Sequence, residues 1–149
     1  MPEPILLQVR YRNRTESSVG GQLKAAGVAF EYEGAKIEYD VPLRKAKYLP
    51  DFRVGNVIIE VKGWFGRQGA KERQKYLLLQ DQHRHLDIRF VFTDAHKAIY
   101  KGSPTTYADW CKAYGFKFAT GGVVPPEWIE ELKYLGDRPA GPAKRKRRK

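Results

Sequence analysis

The segment DFRVGNVIIEVKG (51–63) constrains the fold more than any other part of the chain. Two β-prone runs flank the pair Gly55-Asn56, and such a pattern reads as a β-hairpin. Side chains alternate along a strand, so residues 58, 60 and 62 share one face and 59 and 61 the other. Glu60 and Lys62 therefore emerge side by side from a strand whose opposite face, Ile59 and Val61, is apolar. Asp51, directly after Pro50, lies across the hairpin from them. Two carboxylates and one ammonium are thus expected at the mouth of one sheet.

The flanking sequence supplies the other elements. Asn13 and Glu16 have the spacing of a helix N-cap and its third-position partner, and Val19 and Leu23 follow at helical intervals before Gly27. A helix is expected over about 14–26, with Glu16 on the same face as Val19 and Leu23. VAFEYE (28–33) and KIEYDV (36–41) alternate as strands on either side of a Gly34-Ala35 turn. Pro42 is expected to weaken further sheet pairing, and LRKAKYLP (43–50) reads as a basic connection. The stretch 68–84 is rich in helix formers, and DIRFVFTD (87–94) reads as a core strand with Ile88, Phe90 and Phe92 on one face. Short helices are expected over 105–115, stopped by Gly115, and over 125–134, with Pro126 in the first turn. This order of elements predicts an α/β chain with a mixed sheet flanked by helices. It divides into an N-terminal arm (1–13), a main domain (14–134) and a basic tail (135–149), with 36–49 as a candidate bridge between subunits.

At 149 residues the chain suits one domain with one core. Its single cysteine, Cys111, excludes an internal disulfide, and with three histidines it leaves few ligands for structural zinc. The apolar run in MPEPILLQVRYR is short for a signal peptide, and no run approaches the ~20 apolar residues of a membrane helix. A cytoplasmic protein without a membrane partner is expected. The formal net charge is +11, and seven of those charges sit in the final stretch RPAGPAKRKRRK, which contains no acid. Lys144, Arg145, Lys146, Arg147, Arg148 and Lys149 are therefore candidate nucleic-acid contacts. Arg67, Lys71 and Arg73, in the Gly-rich stretch WFGRQGAKER, are candidate phosphate contacts as well. Trp110, Trp128 and Cys111 are expected in the core, and His83 and His85 read as structural groups near a helix end.

Oxygen donors such as Asp51 and Glu60 suit Mg²⁺ or Mn²⁺. Two such ions neutralise a phosphodiester and stabilise the attacking and leaving oxygens together, while a neighbouring lysine such as Lys62 holds water or stabilises developing charge. The same residues have a bland reading. A Glu and a Lys two apart on a strand often form a surface pair worth roughly 0–1 kcal/mol, and Asp after Pro is a common turn residue. From the residues alone, a metal-dependent nuclease and a non-enzymatic basic DNA-binding protein both stand.

The arrangement Pro50-Asp51 with Glu60-Val61-Lys62 resembles the PD-(D/E)xK motif of the restriction-endonuclease-like superfamily. YLPDFRVGNVIIEVKGWF, LDIRFVF, IYKGSPTTY, GFKF and PPEWI, in that order, resemble the phage endonuclease I family over about residues 11–134. The resemblance implies an enzyme that resolves four-way (Holliday) junctions and other branched double-stranded DNA by paired cuts. It implies two Mg²⁺ or Mn²⁺ ions per active site, no small-molecule cofactor, and a strand-exchanged homodimer in the host cytoplasm. Asp51, Glu60 and the Val61 carbonyl fall on the family's metal ligands and Lys62 on its catalytic lysine. Glu16 falls on an acid supplied by the partner's first helix, and Glu31 on a more weakly implicated acid. The arm MPEPILLQVRYR departs from the family's pattern. A relative of the same superfamily directed to mismatches, nicks or a sequence shares the same catalytic residues, so the resemblance leaves the target as the open alternative.

Overall fold

In the computed structural model, residues 9–41 and 44–135 are described. Four helices and seven strands follow one another as α1 (Arg14–Ala25), β1 (Glu31–Tyr32), β2 (Ile37–Val41), β3 (Arg44–Tyr48), β4 (Phe52–Val54), β5 (Val57–Lys62), α2 (Gly69–Gln82), β6 (Asp87–Phe92), α3 (Tyr107–Tyr114), β7 (Lys117–Ala119) and α4 (Pro126–Leu135). A five-stranded sheet runs β1-β4-β5-β6-β7. β1 and β4, and β4 and β5, pair antiparallel, while β5-β6 and β6-β7 pair parallel. This is the mixed sheet that the element order predicted. β2 and β3 form a separate antiparallel ribbon.

The hairpin forms as expected. Phe52 pairs with Ile59 and Val54 with Val57, and Gly55 takes φ +59°, a conformation glycine adopts without strain. β5 is central, with neighbours on both sides, which explains why five of its six residues are buried. Its alternation divides the core in two. Ile58 joins Phe90, Phe92, Tyr76, Leu79, Trp110 and the ribbon residues Ile37, Tyr39 and Tyr48 on one face. Ile59 and Val61 join Val19, Leu23, Phe52, Val91, Trp128 and Leu132 on the other. Hence α2, α3 and the ribbon cover one face, and α1 and α4 the other.

Helix α1 begins as the spacing predicted, with the Asn13 side chain accepting from the Glu16 N–H at 2.8 Å and Glu16, Val19 and Leu23 buried along one side. Tyr11 lies so close over Gly20 that a Cβ there would sit 2.2 Å from its ring. Helix α3 has a full capping box between Thr106 and Asp109, and Gly115 ends it in the left-handed conformation. Trp110, Trp128 and Cys111 are core residues as expected, and burial pushes the Cys111 thiol up to about 12. His83 caps α2, its Nε2 2.5 Å from the Glu38 carbonyl oxygen.

Three expectations need correction. The strand expected over 28–33 contains only Glu31 and Tyr32, because β1 is an edge paired with β4 alone and Glu33 leaves the extended conformation at φ +47°. The basic stretch after Pro42 is a strand, β3, and not a simple connection. Its register pairs Val41 with Arg44 and Asp40 with Lys45, so cross-strand partners and the buried Tyr48 stabilise it despite its weak apolar pattern. The short parallel strand β7 was not expected. Residues 1–8 and the tail from 136 onward, including Lys144, Arg145, Lys146, Arg147, Arg148 and Lys149, lie outside the described residues.

Candidate active site

The hairpin register sets Asp51, one residue before β4, opposite Glu60 on β5. Reciprocal hydrogen bonds lock the two segments together. The Asp51 N–H donates to Glu60 Oε2 at 3.0 Å, and the Val61 N–H donates to Asp51 Oδ2 at 2.9 Å. Glu60 is only 3% exposed, yet among the described residues its carboxylate has no partner cation closer than Lys62, whose Nζ is 3.9 Å from Oε1. It is held instead by neutral donors, with the Tyr48 hydroxyl donating to Oε2 at 2.5 Å and the Tyr76 hydroxyl to Oε1 at 2.8 Å. Burial, followed by the charge of Glu60, holds both phenols well above their ordinary range, so they remain neutral donors. Lys62 reaches Glu72 of α2 at 3.5 Å, and Glu72 also pairs with Lys75 at 3.2 Å.

A second set of acids meets Asp51. Carboxylate oxygens of Glu16, Glu33 and Asp51 all lie within 4.8 Å of one another. Glu16 is 4% exposed and accepts from the Tyr32 hydroxyl. Glu33 pairs with Arg12 at 2.9 Å. Asp51 is pushed up to about 8 from an ordinary 3.8, by burial first and then by the charge of Glu60, with Glu16 adding to it; the Val61 N–H and Lys62 act in the opposite sense. So much negative charge in one place is costly without a cation, and the donors are all hard oxygens. The residues present therefore fit a divalent ion of the Mg²⁺ or Mn²⁺ type.

Asp51, Glu60 and Lys62 thus come together as their spacing predicted, with the Val61 backbone beside them. Within this one chain Glu16 of α1 joins Asp51 too. Glu33, not Glu31, completes the carboxylate group, because the positive φ at Glu33 turns it out of the strand path; Glu31 instead faces Arg53 across the β1–β4 pair. Glu60 stands outside that group of three, facing the two tyrosines. Arg67 lies on the loop after β5, and Lys71 is exposed on α2.

Sequence reasoning missed Tyr48, Tyr76, Glu72 and Glu33. Glu72, Tyr76 and Leu79 do stand at helical spacing, and that pattern is a signal for the α2 face that meets Glu60. Tyr48 needed the unexpected β3. Glu33 needed a backbone turn that no side-chain pattern announces.

A mixed sheet whose central antiparallel hairpin carries Asp51, Glu60 and Lys62 at one end of its strands, flanked by helices on both faces, is the restriction-endonuclease-like architecture. Within that class the chain belongs to the phage endonuclease I family, whose sequence model matches residues 5–147. It is 41% identical to "Endonuclease I" of Escherichia phage T7 over 124 residues, covering 83% of this chain and 80% of that one. It is 39% identical to "Endodeoxyribonuclease 1" of Enterobacteria phage T3, covering 83% of this chain and 79% of the relative.

Proposed function

We propose that the protein is a DNA endonuclease that resolves four-way junctions and other branched DNA by metal-dependent hydrolysis, making paired cuts as a homodimer in the host cytoplasm. The observation that carries this reading is the joining of Asp51, Glu60 and Lys62 across one hairpin in a chain of the phage endonuclease I family. Among the described residues no helix is long and apolar enough to cross a membrane.

The residues divide the work. Asp51, Glu60 and the Val61 carbonyl, with Glu16 beside them, are the proposed ligands for Mg²⁺ or Mn²⁺, two ions per site. Ions held there would supply charge neutralisation at the scissile phosphate and a more acidic attacking water. Tyr48, Tyr76 and the Asp51 N–H fix the Glu60 carboxylate, so its geometry is set before substrate arrives. Lys62, steered by Glu72, donates toward the attacking water or a phosphoryl oxygen as charge builds on it. Water adds to phosphorus as the bond to the opposite oxygen breaks; the attacking water gives up a proton to solvent and the leaving oxygen takes one from solvent.

For the dimer, the support is the ribbon. The β2–β3 connection at 42–43 is the link between the part of the chain bearing Glu16 and Glu33 and the part bearing Asp51, Glu60 and Lys62. In a strand-exchanged dimer the first part would come from one copy and the second part from the other. A monomeric mass in sedimentation at micromolar concentration argues against the dimer and leaves the catalytic reading standing.

The deciding test compares a four-way junction, labelled on each strand in turn, with a linear duplex of the same sequence, in Mg²⁺ and in EDTA. Symmetric cuts near the branch, made only by the wild type in metal and not by Glu60→Ala, are the expected result. Equal cutting of both substrates discards branch selectivity, and tight binding in EDTA with no cutting in metal discards the enzyme.

A further inference from the structure

Beside the site, and outside its acids, Lys62 and the tyrosines, lies a cleft of about 810 Å³ between the loop after β5, the start of α2 and the loop leading to α3; it includes the candidate phosphate contact Arg67. That size is within the range of about 300–1,000 Å³ that encloses a small organic ligand. Its lining includes Arg67, Arg73, Lys97 and Lys101, and contains no acidic residue. Among the described residues none of the four makes a salt bridge. Four unneutralised cations around one cleft mark a place for an anion with several charges.

The same cleft presents two aromatic rings to solvent. Trp64 is 61% exposed and Tyr100 59%, whereas Trp110 and Trp128 are 5% and 8% exposed. A single exposed ring is ordinary, but two on the wall of one cleft form a patch of the kind that marks a binding site. A phosphate alone explains the cations and not the rings; an apolar ligand explains the rings and not the cations. An unstacked nucleotide explains both, since every base has a face for stacking and every linkage carries a charge. Duplex DNA offers its phosphates, but its bases are already stacked on one another.

The cleft is close to the chemistry. Trp64 follows Lys62 by two residues, and Glu72, which contacts Lys62 at 3.5 Å, is flanked on α2 by the cleft residues Ala70 and Arg73. The Phe65 N–H donates at 3.2 Å to the Tyr107 hydroxyl, tying the loop to another residue of the cleft wall. We infer that this cleft holds an unpaired nucleotide next to the scissile phosphate, with its phosphates against Arg67, Arg73, Lys97 and Lys101 and its base against Trp64 and Tyr100. Such a pocket rewards DNA whose bases are free to leave the stack, as they are at a branch, and so contributes to selection of the substrate. This inference rests on the nuclease reading above for its biological sense, but its test does not require cutting.

The full chain is mixed in EDTA with a short oligothymidine, or with a blunt duplex of equal charge, and iodide quenching of tryptophan fluorescence is followed. The expected result is that oligothymidine shields the iodide-accessible emission and the duplex does not. Trp64→Phe should remove that accessible signal while retaining the affinity, and Trp64→Ala should weaken oligothymidine binding about tenfold. The pair Arg67→Ala and Arg73→Ala should weaken it further and flatten its dependence on salt. Equal shielding by duplex, or oligothymidine binding that Trp64→Ala leaves unchanged with the variant's melting curve intact, overturns the proposal. Shielding in EDTA by a protein that never cuts in metal would retain the cleft and remove the nuclease.

Discussion

Glu60 and Arg89 are both buried charges on neighbouring strands of one sheet, and the protein treats them in opposite ways. Arg89 is 0% exposed and points to the α4 side. Glu131 takes it in a two-pronged pair at 2.9 and 2.8 Å, Asp87 accepts from it at 2.7 Å, and the Trp128 ring lies 5.1 Å away. Burial lowers its proton affinity, but those hydrogen bonds and charges outweigh it, and Glu131 in turn is held below the usual carboxylate range. The charge is cancelled where it lies. Glu60 faces the other side, receives neutral phenols and a backbone N–H, and shares its neighbourhood with Asp51, itself crowded by Glu16 and Glu33. A cancelled charge is the mark of structure, because leaving it unpaired would be costly. An accumulated charge of one sign, held in place by neutral donors, is the mark of a site that awaits a counterion.

The comparison is broken most directly by exchanging activity for stability. Glu60→Gln should reduce the cutting rate on the order of 10³-fold, the scale of a lost electrostatic group at a reacting centre. Its urea midpoint should stay near the wild type. Arg89→Ala should do the reverse. Loss of its charged hydrogen bonds and of its buried volume should cost about 3 kcal/mol of unfolding free energy. Cutting per folded molecule should hold. Junction-cleavage rates together with urea melts on both variants check the pair, and a folded Arg89→Ala protein that no longer cuts would erase the distinction drawn between the two charges.

A finer test concerns the phenols. Tyr76→Phe removes one donor to Glu60 and keeps the ring in its place among Phe65, Phe90 and Tyr48. Groups of this kind typically matter by about 10- to 100-fold in metal affinity or activity. Mn²⁺ affinity measured by calorimetry should fall by that order, with little change in the melting curve. An unchanged affinity would mean that Glu60 keeps its geometry without the phenol.

These residues also show how far the sequence reaches. Glu60 and Lys62 were legible because β5 is central, so its period of two is written in apolar residues on one side and chemistry on the other. Asp51 was legible because a two-residue turn fixes the hairpin register. β3 was not, since Arg44, Lys45 and Lys47 are exposed and leave only Ala46 and Tyr48 to signal a strand. β7, at three residues, is too short to carry a period. Arg89 was hidden in a segment whose other face, Ile88, Phe90 and Phe92, dominates the pattern, and its partner Glu131 lies 42 residues away. What failed to show was what depends on distant partners: a local pattern records which way a side chain points, and not what it meets.

The effect most specific to the crowded acids lies in pH. Asp51 holds its proton up to about 8 in the folded, metal-free protein and releases it near its ordinary 3.8 when unfolded. Folding therefore binds a proton between those values, and this group's contribution is fully present below the unfolded pKa and lost as pH rises through the folded one. Without metal, thermal stability should decline between pH 5 and pH 8, and Asp51→Asn, which has no proton to release, should flatten that decline. A divalent ion reverses the preference by favouring the ionised carboxylate, so Mg²⁺ or Mn²⁺ should stabilise the wild type more at pH 8 than at pH 5. The Arg89 side of the sheet should be indifferent to all of this, because its charges are already balanced. Melting curves at the two pH values, with metal and with EDTA, on the wild type and Asp51→Asn, measure the difference. A metal stabilisation equal at both pH values, or unchanged in Asp51→Asn, would place the ion somewhere other than at Asp51.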